Sequence, residues 1–178
     1  MDAGLVKVRT AWRAPGALPA DFEHLFEAEY ARVVRVAQRV LGELAPAEDV
    51  AQEVFLSFYR SHQATAPYAA AWLHAAAAHA ALNVIRSGKR RAVREAAVAD
   101  TDRAGADPEA AALAAERRTE VRAALARMPV RGATLLALRY SGLSYAECAA
   151  ALDVSASSIG TLLRRAEEAF KKEVSHDG

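Results

Sequence analysis

Apolar side chains recur along this chain at the three-to-four residue spacing of helix faces, in several separate blocks. In the first, Phe22, Leu25, Phe26, Tyr30, Val33, Val36, Ala37 and Val40 form one stripe. This predicts a helix from Asp21, its cap, to Leu41, ended by Gly42. After Pro46 a second helix is expected over AEDVAQEVFLSFYR, with Val50, Val54, Phe55 and Phe58 inward. A third should run from Pro67 to about Ser87 on a stripe of Leu73, Ala76, Ala77, Ala80 and Val84. Helical pattern resumes near Glu109 and runs to Met128. Pro129 then fits the first position of a helix through Leu135, Leu136, Leu138 and Tyr140, closed by Gly142.

The last stretch, Ser144 to Lys172, reads as two helices around a very short turn. Ser144 followed by Glu147 has capping-box spacing, and Tyr145, Cys148, Ala149 and Leu152 share a face. The chain breaks at Asp153-Val154-Ser155, where Ser155 can cap the second helix. That helix carries Ile159, Leu162, Leu163, Ala166 and Phe170 on its apolar stripe. Ser157, Thr161 and Arg164 lie opposite, flanked by Ser158 and Arg165. Short hydroxyls followed by arginines suit a recognition helix: small donors meet base edges and longer cations reach phosphates. A plain helical hairpin with a solvated outer face has the same pattern.

Composition fixes the class. The chain has 178 residues, 53% of them apolar, and is rich in alanine, which favours an all-α protein. Its net charge of +1 gives no global basic signature, and from Met128 onward six basic residues balance six acidic ones. Nucleic-acid binding must then arise from local patches and gain from a larger partner. One cysteine excludes an internal disulfide. The alanine run near residue 76 is interrupted by His74 and His79 and is too short to span a bilayer. Neither a signal peptide nor membrane insertion is expected, and the protein should be cytoplasmic.

These blocks divide the chain into a mobile tail (1–20), an N-terminal helical domain (21–94), an acidic linker (95–110) and a C-terminal helix-turn-helix domain (111–178). Two patches in the N-terminal domain bear on function. Glu48, Asp49, Gln52 and Glu53 make one helix face acidic. Acids at a helix start favour the dipole without any partner, but such a face could also dock on a basic protein. Trp72, His79, Asn83 and Arg86 share a face, and Arg86, Lys89, Arg90, Arg91 and Arg94 form a basic run with no acid until Glu95. An aromatic, an imidazole and an amide beside cations suit unpaired bases and their phosphates. A core tryptophan followed by a solvated basic helix end fits equally well. No third ligand accompanies His79, so no metal site is indicated, and no motif implies a cofactor or an enzyme.

The order of these parts resembles the extracytoplasmic-function sigma factors of bacterial RNA polymerase. The likeness rests on AEDVAQEVFLSFYR, on AWLHAAAAHAALNVIRSGKRR, and on the run from Ala124 to Phe170 that contains LRYSGLSYAECAAALDVSASSIGTLLRR. The resemblance implies two all-α domains joined by a flexible linker. It implies that Asp49, Gln52 and Glu53 dock on the clamp coiled coil of core RNA polymerase. Trp72, His79, Asn83, Arg86, Lys89, Arg90 and Arg91 would bind and open the minus-ten element of promoter DNA. Ser157, Ser158, Thr161, Arg164 and Arg165 would contact the minus-thirty-five element. An anti-sigma factor is a further implied partner. The chain departs from the family pattern at Ala78-His79, where Arg-Asn is usual, at Gly160 and Leu162, and at Asp153, where the turn usually has glycine. Two rival readings are a stand-alone helix-turn-helix regulator and a polymerase-binding accessory factor without melting activity.

Overall fold

The computed structural model describes residues 17–87 and 107–175, and among these it contains helices and no strands. In chain order they are α1 (Ala20–Leu41), α2 (Leu44–Ser61), α3 (Ala69–Arg86), α4 (Pro108–Arg127), α5 (Val130–Tyr140), α6 (Tyr145–Leu152) and α7 (Ala156–Ser175). Most of the expected tail and linker, and Lys89, Arg90, Arg91 and Arg94, lie outside the described residues. The first three helices pack on one another, as do the last four.

Aromatic burial organises the N-terminal unit. Phe55 is fully buried at its centre, with ring centroids of Phe22, Phe26 and Tyr30 at 6.2, 4.9 and 6.0 Å. Val33, Val36, Ala37 and Val40 continue the same face of α1. Gly42 ends that helix at φ 78°, a left-handed value that costs glycine least, and its N–H returns to the Gln38 carbonyl. In the C-terminal unit both arms of the expected capping box form. Glu147 N–H donates to the Ser144 hydroxyl at 3.2 Å, and Ser144 N–H donates to Glu147 Oε2 at 2.8 Å. Asp153 stands at φ 53° in the turn between α6 and α7, a conformation that aspartate tolerates at some cost. Cys148 is buried, as its place on the apolar stripe implies.

Several helix starts differ from the pattern-based expectation. Pro19, not Asp21, occupies the α1 N-cap position; its carbonyl accepts from Phe22 and Glu23 N–H, leaving Asp21 in the first turn. Pro129 is likewise the α5 N-cap and not its first residue. α2 begins at Leu44, two residues before Pro46, because proline's missing N–H is harmless in a first turn. α3 begins at Ala69 after turns that follow Pro67. The Asp107 side chain caps α4, so 108–110, assigned above to the linker, are already helical.

The two units pack against each other, an arrangement that the sequence pattern leaves open. Buried apolar residues of both belong to one continuous cluster. α3 packs against α1 and α2 on one side and against α5 and α6 on the other. Its buried set is therefore wider and rotated from the expected stripe. His74, Ala78, Ala81, Leu82 and Ile85 are buried with Leu73 and Ala77, whereas Ala76, Ala80 and Val84 are only half-buried. An alanine-rich sequence permits this, because small side chains let neighbouring helices approach on two sides.

Polar contacts bind the units as well. Arg86 donates from Nε to the Ala126 carbonyl at 3.2 Å and from Nη2 to the Met128 carbonyl at 2.6 Å. Arg122 donates to the Leu41 carbonyl at 2.8 Å, satisfying a free acceptor at the C-terminus of α1 where the helix dipole favours a cation. Arg32 on α1 pairs with Oε1 of Glu147, the carboxylate that also closes the capping box. The hydrogen bond from Arg32, and after it that from Ser144 N–H, hold the Glu147 carboxyl down at about 2.

Beside this pair, buried His74 hydrogen-bonds through Nε2 to Glu29 Oε2 at 2.7 Å. Burial pushes the His74 imidazole below its ordinary value, against the opposing pull of Glu29; Arg32 and Glu147 complete its charged surroundings. A histidine lowered in the folded state contributes stability above its unfolded pKa, near 6.5, and loses it as the pH falls below that. The thermal midpoint of the protein should therefore start to drop below about pH 6.5. His74→Leu should remove that segment of the profile and leave only the steeper loss at carboxylate pH. Parallel profiles for the two proteins between pH 7 and 5.5 would exclude His74 as the cause.

Candidate polymerase and nucleic-acid interface

The acidic face of α2 stands free. Asp49, Gln52 and Glu53 are exposed on successive turns and Glu48 is half-buried. The Tyr30 hydroxyl is hydrogen-bonded by Gln52, while burial, followed by the charge of Glu48, raises its pKa. That bond fixes the root of the face to α1. One turn on, Leu56 and Tyr59 are exposed by 39% and 43%. Leu56 stands four residues from Gln52 and three from Glu53, so a leucine interrupts the acidic surface. A leucine in an amphipathic block is ordinarily core, so the apolar pattern gives no sign of this exposure.

On α3 the expected face is split. His79 and Asn83 are exposed one turn apart and form a continuous polar surface. Trp72 is half-buried among rings, with centroids 4.7 Å from His62 and 5.4 Å from Phe58. Arg86 is turned to the α4–α5 junction by its two carbonyl acceptors. The structure thus brings His79 and Asn83 together, packs Trp72 two turns earlier against His62 and Phe58, and engages Arg86 elsewhere.

The recognition face of α7 is open. Ile159, Leu163 and Ala166 are buried, which leaves Ser157, Thr161, Arg164 and Arg165 exposed on the far side. Ser155 precedes the helix, with its hydroxyl 3.1 Å from Ser157 Oγ and 2.7 Å from Ser158 Oγ. Ser158 is half-buried. Arg164 donates to Glu168 at 2.8 Å, one turn along, which holds the guanidinium along the helix surface. Arg165 has no ion-pair partner among the described residues and no competing acceptor to displace. Among the described residues there is no cluster of His, Cys, Asp or Glu fit to hold a metal ion, and no helix long and apolar enough to cross a membrane.

The two helical units coincide with two family models. Residues 25–91 match sigma-70 region 2, and residues 118–170 match sigma-70 region 4. The units are thus region 2 and region 4 of the sigma-70 class. The chain is 32% identical over 162 residues to the ECF RNA polymerase sigma factor SigE of Mycolicibacterium smegmatis, with 87% of this chain and 62% of that protein covered. It is 26% identical over 156 residues to the ECF RNA polymerase sigma factor SigW of Bacillus subtilis, with 80% and 83% covered. A solved structure of the sigma factor RpoE in complex with the anti-sigma factor NepR from Bartonella quintana aligns with 90% of this chain and 100% of that one, at a TM-score of 0.47 and 18% identity. The chain belongs to the extracytoplasmic-function sigma factors of the sigma-70 family.

Proposed function

We propose that the protein acts in the cytoplasm as a promoter-selecting subunit of RNA polymerase, and not as an enzyme in its own right. Asp49, Gln52 and Glu53, with Leu56 among them, dock on the core enzyme. His79 and Asn83, with Lys89, Arg90 and Arg91 following in the chain, take the minus-ten element. Arg86 joins them once it leaves the Ala126 and Met128 carbonyls, and the half-buried Trp72 extends the surface two turns along the helix. Ser157, Ser158, Thr161, Arg164 and Arg165 read the minus-thirty-five element from the major groove. An anti-sigma protein is the expected inhibitor.

The observation that carries this reading is the outward polar face of α7, small hydroxyls before arginines, in a chain whose other unit presents His79 and Asn83. Extruding bases from a duplex costs a few kcal/mol each. The near-neutral chain has little charge with which to meet that cost alone, so free protein should not melt DNA.

Transcription in vitro with purified core polymerase tests the proposal. A promoter-dependent run-off product is expected, and it should fall sharply for the double variant Gln52→Ala with Glu53→Ala. Absence of any product on genomic templates, with core binding intact, would favour the accessory-factor reading that Arg86's engagement and the buried Ala78 raise. Permanganate footprinting of the same complex then separates binding from melting. Arg165→Ala should weaken promoter binding and flatten its logarithmic salt dependence by about one unit, the loss of one phosphate contact. An unchanged slope would remove Arg165 from the phosphate backbone.

A further inference from the structure

A cleft of about 900 Å³ opens on the side of the molecule where the units meet, between α1, α4, α5 and α7. Arg35 and Arg39 approach it from α1, Arg117 and Arg118 from α4, and Lys171 from α7; Glu167 is the one carboxylate among its lining residues. That carboxylate is already occupied, since the Tyr140 hydroxyl donates to it at 2.7 Å. Among the described residues, Arg35, Arg117, Arg118 and Lys171 form no ion pair. All four are exposed and solvated, and together they raise a positive potential over the concavity that attracts an anion.

The cleft is also apolar beneath its charges. Val40, Leu125, Leu136 and Phe170 line it, and Val121 and Tyr140 reach it while 37% and 53% exposed. The Arg39 guanidinium lies 5.8 Å from the centre of the Tyr140 ring, which orients that ring at the mouth. Gly42 makes room for Arg118: a Cβ there would lie 2.9 Å from Arg118 Cδ. The volume falls in the range of small-molecule sites. Guanidinium groups converging from two helices, beside aromatic and aliphatic walls, match a ligand with phosphates at one end and a flat ring at the other.

We propose that this cleft binds a nucleoside polyphosphate, with its phosphates held by Arg35, Arg117 and Arg118 and its base against Tyr140 and Phe170. The walls come from both units, so occupancy favours their packed arrangement. The binding itself does not depend on the sigma-factor reading; only its effect on transcription rests on that.

Calorimetric titration of the full chain without polymerase, at constant ionic strength, tests the site with ATP, GTP, pyrophosphate and adenosine. Either nucleoside triphosphate should bind saturably at one site, pyrophosphate more weakly, and adenosine not measurably. Arg35→Gln with Arg118→Gln should lower triphosphate affinity at least tenfold, and Gly42→Ala, which displaces Arg118, should lower it too. Arg131→Gln, exposed and away from the cleft, should leave it unchanged, with circular dichroism confirming the fold of each variant. The proposal is overturned if neither triphosphate binds saturably, if the double arginine variant binds as tightly as the parent, or if pyrophosphate binds as well as ATP. Saturable binding of an acidic peptide in place of either triphosphate would also overturn it, assigning the cleft to a protein partner.

Discussion

Fluorophores at Arg60→Cys and Lys172→Cys will report a large separation of the two units when the protein joins polymerase on a promoter. Both positions are exposed, and the native Cys148 is buried and will not compete for label. A packed chain of this length has a radius of gyration of about 16 Å. Elements centred about 25 base pairs apart lie about 85 Å apart at 3.4 Å per base pair. The packed arrangement cannot span that distance, so one molecule contacts both elements only after the units part. The polar links are few enough for polymerase and promoter contacts to offset: the partly buried Arg32–Glu147 pair is worth on the order of 1 kcal/mol, and each carbonyl bond of the charged Arg86 and Arg122 about 1.5–3 kcal/mol. Parting also uncovers apolar surface from the shared core, and polymerase must cover it in turn. Energy transfer should be high in the free protein and near zero in the transcribing complex. Persistent high transfer in an active complex would mean that the two elements are not contacted at once.

Phe55→Ala should destabilise the protein by about 3–5 kcal/mol, much of the 5–15 kcal/mol that usually holds a domain folded. Phe55 is fully buried and three aromatic rings from α1 lie against it. Neither Phe22 nor Tyr30 can refill the space without abandoning its own partner, Tyr59 or Phe26. Gln52 sits on the same helix, and its hydroxyl partner Tyr30 is one of those rings. The cavity should therefore loosen the docking face along with the core. Urea denaturation measures the loss; a change under about 1.5 kcal/mol would be the cost of a site able to collapse, contrary to this packing.

Much of this was legible in the chain itself. Helix identity followed from apolar spacing, and the α6 start from the Ser144 and Glu147 pair, because both are local effects. The outward face of α7 was legible for the same reason: five apolar residues fix which side is buried. Helix starts next to prolines differ from the pattern by one to three residues, since proline fits both the cap and the first turn. The wider burial of α3 was not legible, because an alanine run reads alike whether one side or two are covered. The pairing of Arg32 with Glu147 joins residues 115 apart and leaves no local pattern. Arg86 shows the limit most clearly: its spacing from Trp72 gives its face but not the two carbonyls that await it.

Glu147 divides its labour between its oxygens, one facing its own helix and the other a neighbouring unit. When the units disengage, Arg32 departs from Oε1 while Oε2 keeps its grip on Ser144. The C-terminal unit can therefore come away like a detachable fitting, with the first turn of α6 still wound.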